Sequence, residues 1–154
     1  MNGFTKIEVL IVGIIALLII GFDVFINLYL NDKGYDVQTL TEISQIRSGL
    51  ETFLLENDYY PIKASQVNLN DSYAGTQKLC QEGFKKYTDS CKVAILDPIP
   101  NYYADQGNVY IYKSSADKKN YQIEFTLKTD FKAQGLTKGK NCAANFQITS
   151  QPCF

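Results

Sequence analysis

One carboxylate near the start of this chain is placed where it could do chemistry. Glu8 directly precedes an apolar run that extends from Val9 to Leu30. An acidic side chain in bilayer hydrocarbon costs on the order of a few kcal/mol, so such residues are usually functional and paired with a cation. The position of Glu8 therefore predicts a function that requires a cationic partner.

The remaining composition argues against enzyme chemistry. The chain has no histidine, which removes the commonest general base and metal ligand and excludes any Ser-His or Cys-His nucleophile within it. No acid, base and nucleophile set is visible, so we predict no catalytic residues and no enzyme activity. A net charge of -1 gives no overall attraction to nucleic acid or anionic lipid, although a local basic patch is left open.

Four cysteines form the second chemically informative group. Cys80 and Cys91 bracket one stretch and Cys142 and Cys153 another, and neither spacing is the C-x-x-C of zinc or redox sites. Of the three possible connectivities we favour these local pairs, because each would close irregular sequence and stabilise it by roughly 3 kcal/mol. Disulfide bonds would place the part of the chain that contains these cysteines outside the cytoplasm. Four reduced, buried thiols are the alternative.

The apolar run is the first element that must position these residues. With a rise of about 1.5 Å per residue, a helix from Val9 to Leu30 would cover roughly 30 Å, the thickness of a bilayer core. The sequence lacks the basic region and the small-residue cleavage site of a secretory signal peptide, so we predict a single transmembrane helix. Lys6 and the amino terminus favour a cytoplasmic N-terminus with the rest of the chain outside. Four residues interrupt the apolar character: Gly13, Gly21, Asp23 and Asn27.

A second periodic segment follows and predicts that the helix continues. Its apolar residues recur at three- and four-residue steps, which is typical of an amphipathic helix. They are Val37, Leu40, Ile43, Ile46, Leu50, Phe53 and Leu54. Glu42 is among the residues assigned to the polar side. We expect the helix to end near Asn57-Asp58, because Pro61 disfavours helical backbone at Tyr60.

The second half of the chain reads as a loop followed by strands. Ile62 to Gly107 lacks a sustained period and is predicted to be a connecting loop. Val109 to Tyr112 and the alternating run Tyr121 to Leu127 predict two strands joined by the polar turn Ser114 to Asn120. We expect an antiparallel sheet whose apolar face covers the helix, with a third strand at Phe146 to Thr149.

The stretch Gly-Phe-Thr-Lys-Ile-Glu-Val-Leu-Ile, from Gly3 to Ile11, resembles the processing site of the type IV pilin superfamily. It has a glycine, then phenylalanine as the first mature residue, then glutamate as the fifth. The resemblance implies that a membrane prepilin peptidase cleaves between Gly3 and Phe4 and that Phe4 is N-methylated. It also implies that Glu8 acts in assembly.

Cleavage after Gly3 would supply the partner that Glu8 needs. The new α-amine of Phe4 has a reference pKa near 8 and stays charged after methylation. A pair between this amine and Glu8 of a neighbouring subunit would set the register of stacked helices. The alternative is that Glu8 is favoured only by the dipole at a helix N-terminus.

A second similarity lies at the end of the long helix. Glu51 to Pro61 resembles the corresponding part of major pseudopilins of type II secretion and related pilins, where an acidic or amide turn precedes Tyr-Pro. The resemblance implies a self-polymerising subunit that waits in the cytoplasmic membrane lipid and is moved by an assembly platform and an ATPase into an extracytoplasmic filament or pilus. Alternatives are a pseudopilin piston of a secretion or DNA-uptake system and a signal-anchored, monomeric binding domain.

Two further kinds of site find little support. Scattered lysine pairs such as Lys85-Lys86, Lys118-Lys119 and Lys138-Gly139-Lys140 are typical of solvated faces, so we do not expect DNA binding, which is kept as an alternative. Some pseudopilins bind calcium in a C-terminal loop. Lys128 to Asn141 holds Asp130 as its single acidic residue, so we predict no metal and no cofactor.

Together these patterns predict an α+β fold with a long N-terminal helix packed on a small antiparallel sheet and with disulfide-closed loops. The expected organisation is a leader at 1–3, a transmembrane and filament-core helix at 4–30, its amphipathic continuation at 31–58 and a head at 59–154.

Overall fold

The structure of the protein is a computed structural model that describes residues 6–104, 107–145 and 147–154, the side chains of Lys6 and Val9 excepted. The predicted α+β fold is confirmed: one long N-terminal helix, antiparallel sheets and two disulfides. The chain divides into two compact units, Met1–Gly34 and Tyr35–Phe154, which are described separately.

Helix α1 extends from Lys6 to Asn57 and contributes to both units. In the first unit its large apolar side chains are exposed in nearly every case from Ile7 to Leu30. Neither Gly13 nor Gly21 has other atoms near the position of a Cβ. This part of the helix therefore has no core of its own within the described residues.

In the second unit, α1 buries one narrow stripe. The buried positions follow three- and four-residue steps, as expected for a helix packed along one side. They are Asp36, Thr39, Ile43, Ile46, Leu50 and Phe53. The predicted stripe is right from Ile43 onward and wrong at Val37, which is 54% exposed. Glu42, assigned to the polar side, is also buried.

The end of α1 agrees with the prediction. The helix ends at Asn57, and Asp58 takes a left-handed conformation with φ 63°. The side-chain amide of Asn57 donates a hydrogen bond to the carbonyl oxygen of Phe53 at 3.0 Å. A left-handed residue directly after the last turn is a common way to terminate a helix.

The larger sheet has five antiparallel strands in the order β1-β5-β6-β7-β8. The strands are β1 Val67–Asn68, β5 Ile111–Ser114, β6 Tyr121–Leu127, β7 Gly139–Ala144 and β8 Ile148–Thr149. The prediction for β6 is confirmed at both ends. The preceding strand begins at Ile111 instead of Val109, and the third predicted strand is observed at Ile148–Thr149, with Phe146 outside the described residues.

A second, three-stranded sheet lies where the sequence predicted a connecting loop. Its order is β3-β2-β4, with β2 at Lys78–Cys80, β3 at Gly83–Lys85 and β4 at Ala94–Leu96. Strands of three residues are too short to show an alternating pattern, which is why the prediction of a loop for Ile62 to Gly107 is wrong here.

The core of the second unit lies between the buried stripe of α1 and the apolar face of β6. Ile43, Ile46, Leu50 and Phe53 share one cluster with Tyr121, Ile123, Phe125 and Leu127. The smaller sheet joins this core through Leu79 and through a close approach to the helix. A Cβ added at Gly49 would lie 2.5 Å from Cδ1 of Leu96, so a larger residue here would displace the Leu96 side chain.

Both disulfides join cysteines that are near one another in sequence. Cys80 pairs with Cys91 and Cys142 with Cys153, each at a sequence separation of 11. These are the local pairs that the sequence analysis favours. One closes the turn next to β2, and the other attaches the C-terminal segment to β7.

Candidate membrane and assembly segment

The residues that carry the processing motif fall at the edge of the described structure. Gly3 and Phe4 lie outside the described residues. Glu8 lies in the first turn of α1, where the helix dipole favours a carboxylate, and its side chain is exposed. The structure thus gives Glu8 an accessible position at the start of the apolar segment.

The apolar segment itself could cross a membrane by its length and composition. From Leu10 onward the helix contains an 18-residue window with a mean hydropathy of 2.6, none of which is buried. Leu18 near its middle is 69% exposed. A globular protein rarely exposes an apolar surface of this extent to water, so the segment requires lipid or another protein surface around it.

Two polar residues within this segment lie on one side of the helix. Asn27 donates a hydrogen bond from its side-chain amide to the backbone carbonyl oxygen of Asp23 at 2.8 Å. Residues four apart are neighbours on a helix, and this contact satisfies the amide locally. Among the described residues, the contact at Asp23 is made by its backbone carbonyl oxygen and not by its carboxylate.

In the second unit, Asp36 joins the helix to the end of β6. Its Oδ1 accepts a hydrogen bond from the backbone N–H of Lys128 at 2.7 Å. Its Oδ2 accepts from the N–H of Thr129 at 2.8 Å and from the Thr129 hydroxyl at 2.5 Å. Asp36 is fully buried, and both of its oxygens are used. Hydrogen bonds to a carboxylate are stronger than those between neutral groups, so Asp36 fixes the β6 end on the helix.

Glu42 forms a second buried polar contact one and a half turns further along. Oε2 of Glu42 accepts from the Tyr110 hydroxyl at 2.6 Å, and Oε1 accepts from the Tyr102 N–H at 2.9 Å. Burial raises the pKa of the Tyr110 hydroxyl, and its hydrogen bond to Glu42 raises it further. The pair therefore requires a neutral tyrosine.

Sequence reasoning missed Asp36 and Glu42 because both residues are charged. A signal for Asp36 was available: the three- and four-residue steps of Ile46 and Ile43, continued toward the N-terminus, reach Thr39 and then Asp36. The sequence does not show that strand backbone and a distant tyrosine would supply donors at these positions.

The C-terminal disulfide covers another charged pair. Nζ of Lys140 lies 2.7 Å from Oε1 of Glu124, whose side chain is 4% exposed. The N–H of Cys153 donates to Oε2 of Glu124 at 3.3 Å. Glu124 faces away from the apolar side of β6, and the disulfide-bonded segment shields it there.

The described residues do not assemble a metal centre or a catalytic cluster. Cys80, Glu82 and Cys91 lie close together, but both sulfurs are in a disulfide and are not thiolate ligands. A cavity of about 900 Å³ lies at the edge of the larger sheet, and Lys113 is the one charged residue among those described as lining it.

Comparisons with known proteins leave the family open. No family model matches the chain, and neither a curated protein nor a solved structure matches it.

Proposed function

We propose that this protein is the structural subunit of a type IV pilus or related filament. The observation that carries the proposal is the position of Glu8, in the first turn of a helix whose following apolar segment contains no buried residue in an 18-residue window and is long enough to cross a membrane. The resemblance of Gly3 to Ile11 to the prepilin processing site supports the same function.

In this proposal the subunit is first an inner-membrane protein with its N-terminus inside and its head outside. Disulfides in the second unit support an extracytoplasmic head. A prepilin peptidase hydrolyses the Gly3–Phe4 bond with one water, releases Met1 to Gly3, and leaves the Phe4 amine, which then receives a methyl group from an activated donor.

Assembly replaces lipid around the apolar segment with the same segment of other copies. The Phe4 amine of one subunit pairs with Glu8 of the next, which neutralises two charges that are costly in apolar surroundings. A platform protein and an ATPase supply the movement out of the membrane. The exposed apolar surface of the segment is suited to both environments, because neither lipid nor a neighbouring helix requires polar side chains there.

The test combines intact mass with filament recovery for the native protein and two matched variants, Glu8→Gln and Glu56→Gln. We expect a mature mass that lacks Met1 to Gly3 and carries one added methyl group. Glu8→Gln should reduce sheared filaments at least about tenfold, because loss of one buried charge pair costs roughly 3 kcal/mol or more. Glu56 is exposed in the second unit, and its variant should assemble normally.

A mass that retains Met1, together with normal behaviour of Glu8→Gln, would support the signal-anchored binding domain instead. Electron microscopy of the sheared material, labelled for this protein, separates a pilus from a short pseudopilus, because only the former gives long surface fibres.

A further inference from the structure

The turn between β6 and β7 carries lysines that the proposed function does not use. Lys128, Lys132, Lys138 and Lys140 are all exposed. Three carboxylates are near them: Asp130, which accepts from the Lys138 N–H at 2.8 Å, Glu124, which pairs with Lys140, and the buried Asp36, which accepts from the backbone of the turn. Four lysines against these three carboxylates leave one positive charge in excess, and the four ammonium groups are on the exposed side.

This turn has a fixed place in the second unit. Asp36 binds the backbone of Lys128 and Thr129, so the lysines are held next to the first residues of α1 in that unit. The Lys128 ammonium also lies 4.0 Å from the centre of the Tyr35 ring, a cation–π distance. A cavity of about 320 Å³ beside the turn is lined in part by Tyr35, Lys128 and Lys140, and also by Glu124, the carboxylate that pairs with Lys140.

The sequence places Asp36 six residues after Leu30, the last residue of the apolar run. Six residues reach at most about 20 Å when extended and about 9 Å as a helix. This stretch is helical, so the rise along the chain from Leu30 to Asp36 is about 9 Å. Charges interact over about 10 Å at ordinary ionic strength, so we expect a lysine held at Asp36, such as Lys128, to come within range of lipid headgroups when the apolar run crosses a membrane.

The other end of β6 provides an internal contrast. The turn between β5 and β6 is also basic, but it binds the far end of α1: the Tyr60 N–H donates to the Lys118 carbonyl, and Lys119 Nζ donates to the Asp58 carbonyl. Asp58 follows Asp36 by 22 residues, which corresponds to about 33 Å of helix. Lys118 and Lys119 are therefore matched lysines that are held away from Asp36.

We propose that the lysines of the β6–β7 turn bind the anionic headgroups of phospholipids while the subunit is anchored in the membrane. Several exposed ammonium groups spread along a turn can contact several phosphate groups of a lipid surface at once. Each lysine near an anionic surface raises the affinity for it roughly fivefold. The inference rests on the proposed membrane anchor but is independent of filament assembly. It gives the turn a function before assembly, when the head has no neighbouring subunits.

The experiment uses the full chain in nanodiscs of phosphatidylcholine alone or of equal parts phosphatidylcholine and phosphatidylglycerol, at low salt. An amine-reactive reagent is applied, and mass spectrometry gives the labelling rate of each lysine. We expect Lys132 and Lys138 to react about fivefold more slowly in the anionic discs, because contact of one lysine is worth roughly that factor. Lys118 and Lys119 should react equally in both, and added salt should remove the difference.

A matched pair of double variants tests whether the turn acts as a unit. Lys132→Gln with Lys138→Gln should reduce the protection of Lys128 in anionic discs, whereas Lys86→Gln with Lys92→Gln, the same charge change at exposed sites elsewhere, should leave it unchanged. All four substitutions are on the surface, so folding should be maintained.

Three outcomes would overturn the inference. They are equal labelling of Lys132 and Lys138 in both discs, equal protection of Lys118 and Lys119, or full protection in neutral discs by inorganic phosphate alone. If the protein incorporates into both discs and one of these is seen, the inference fails while the proposed function stands. If it incorporates into neither, the membrane anchor itself is wrong, and the inference fails with it.

Discussion

The two parts of helix α1 differ in the solvent exposure of their apolar side chains. From Leu10 to Leu30 nearly all of these side chains are exposed, and a whole 18-residue window has no buried residue. From Tyr35 to Asn57 one narrow stripe is buried, and Ile43 and Leu50 have no accessible surface. One helix thus has an internal partner for its second part and needs an external one for its first part.

The difference between the two parts lies in what the rest of the chain provides. Burial of each of the four large apolar residues of the stripe is worth roughly 1.5–3 kcal/mol, and the sheets supply the surface. Asp36 and Glu42 add specificity, because their buried oxygens require donors at fixed positions, in the turn after β6 and in the segment before β5. The apolar segment instead exposes most of its large apolar side chains, which suits the exchange of lipid for other subunits that we propose.

The largest expected effect on stability comes from placing an arginine in the buried stripe of α1, compared with an arginine in its exposed apolar segment. Ile46→Arg puts an unpaired charge at a site that is 1% exposed, and we expect a loss of about 4 kcal/mol or more, enough to unfold the head. Leu18→Arg should leave the unfolding of the head unchanged but reduce membrane insertion by about 3 kcal/mol. Urea unfolding followed by far-UV circular dichroism and membrane fractionation measure the two effects.

Ser44→Arg is the control for the head, since Ser44 is exposed on the same helix between two buried positions. It should change the free energy of unfolding by less than about 0.5 kcal/mol. If Leu18→Arg destabilised the head as strongly as Ile46→Arg, the contrast between the two parts of the helix would be wrong.

A smaller effect is expected from Asp36→Ala. The substitution leaves the N–H groups of Lys128 and Thr129 without their acceptor, and we expect a loss of about 3 kcal/mol, since a buried unsatisfied donor costs roughly 1–3 kcal/mol. Hydrogen exchange should show earlier opening at the β6–β7 turn than in β5. Asp36→Asn, which retains one acceptor oxygen, should lose less than half as much. A uniform change along the sheet would argue that Asp36 does not act locally.

The smallest effect is a loss of stability of the head at alkaline pH. Burial is the main cause that raises the pKa of Tyr110 and of Tyr112 above the ordinary value of 10.0. A raised folded pKa means that the stabilisation is complete below pH 10 and is lost as pH rises from there through the folded pKa. At pH 10.5 each of these two tyrosines should cost nearly 1 kcal/mol, about 2 kcal/mol together.

Urea unfolding at pH 8, 9.5 and 10.5 checks this, with both disulfides intact. Tyr112→Phe should reduce the alkaline loss by nearly 1 kcal/mol, because it removes one of the tyrosines whose pKa burial raises. Burial also raises the pKa of Tyr35, Tyr60 and Tyr121, so most of the loss should persist. Association of the apolar segment with membranes should stay constant over the same range. A loss that begins well below pH 9.5 would point to a group other than these tyrosines.

How much the sequence predicted depended on how long each regular pattern is. The end of α1 at Asn57 and the whole of β6 were predicted because a proline and a seven-residue alternation are local signals. The three-residue strands β2 to β4 were missed, since each is stabilised by pairing with its neighbours and not by its own residues. The irregular sequence between the cysteines favours the local disulfide pairs. The structure has these pairs, each between cysteines 11 residues apart in the sequence.

The sequence by itself determined the features that depend on composition and order along the chain: the apolar segment, Glu8 at its start, the absence of histidine and the cysteine spacing. Only the tertiary structure decided which charged residues are buried. Asp36 and Glu42 can be buried because donors more than 55 residues away in the chain reach them, at Lys128 and at Tyr110. The same long-range contact holds Lys128 of the β6–β7 turn beside Tyr35, a placement that arises because distant segments meet only in the folded chain.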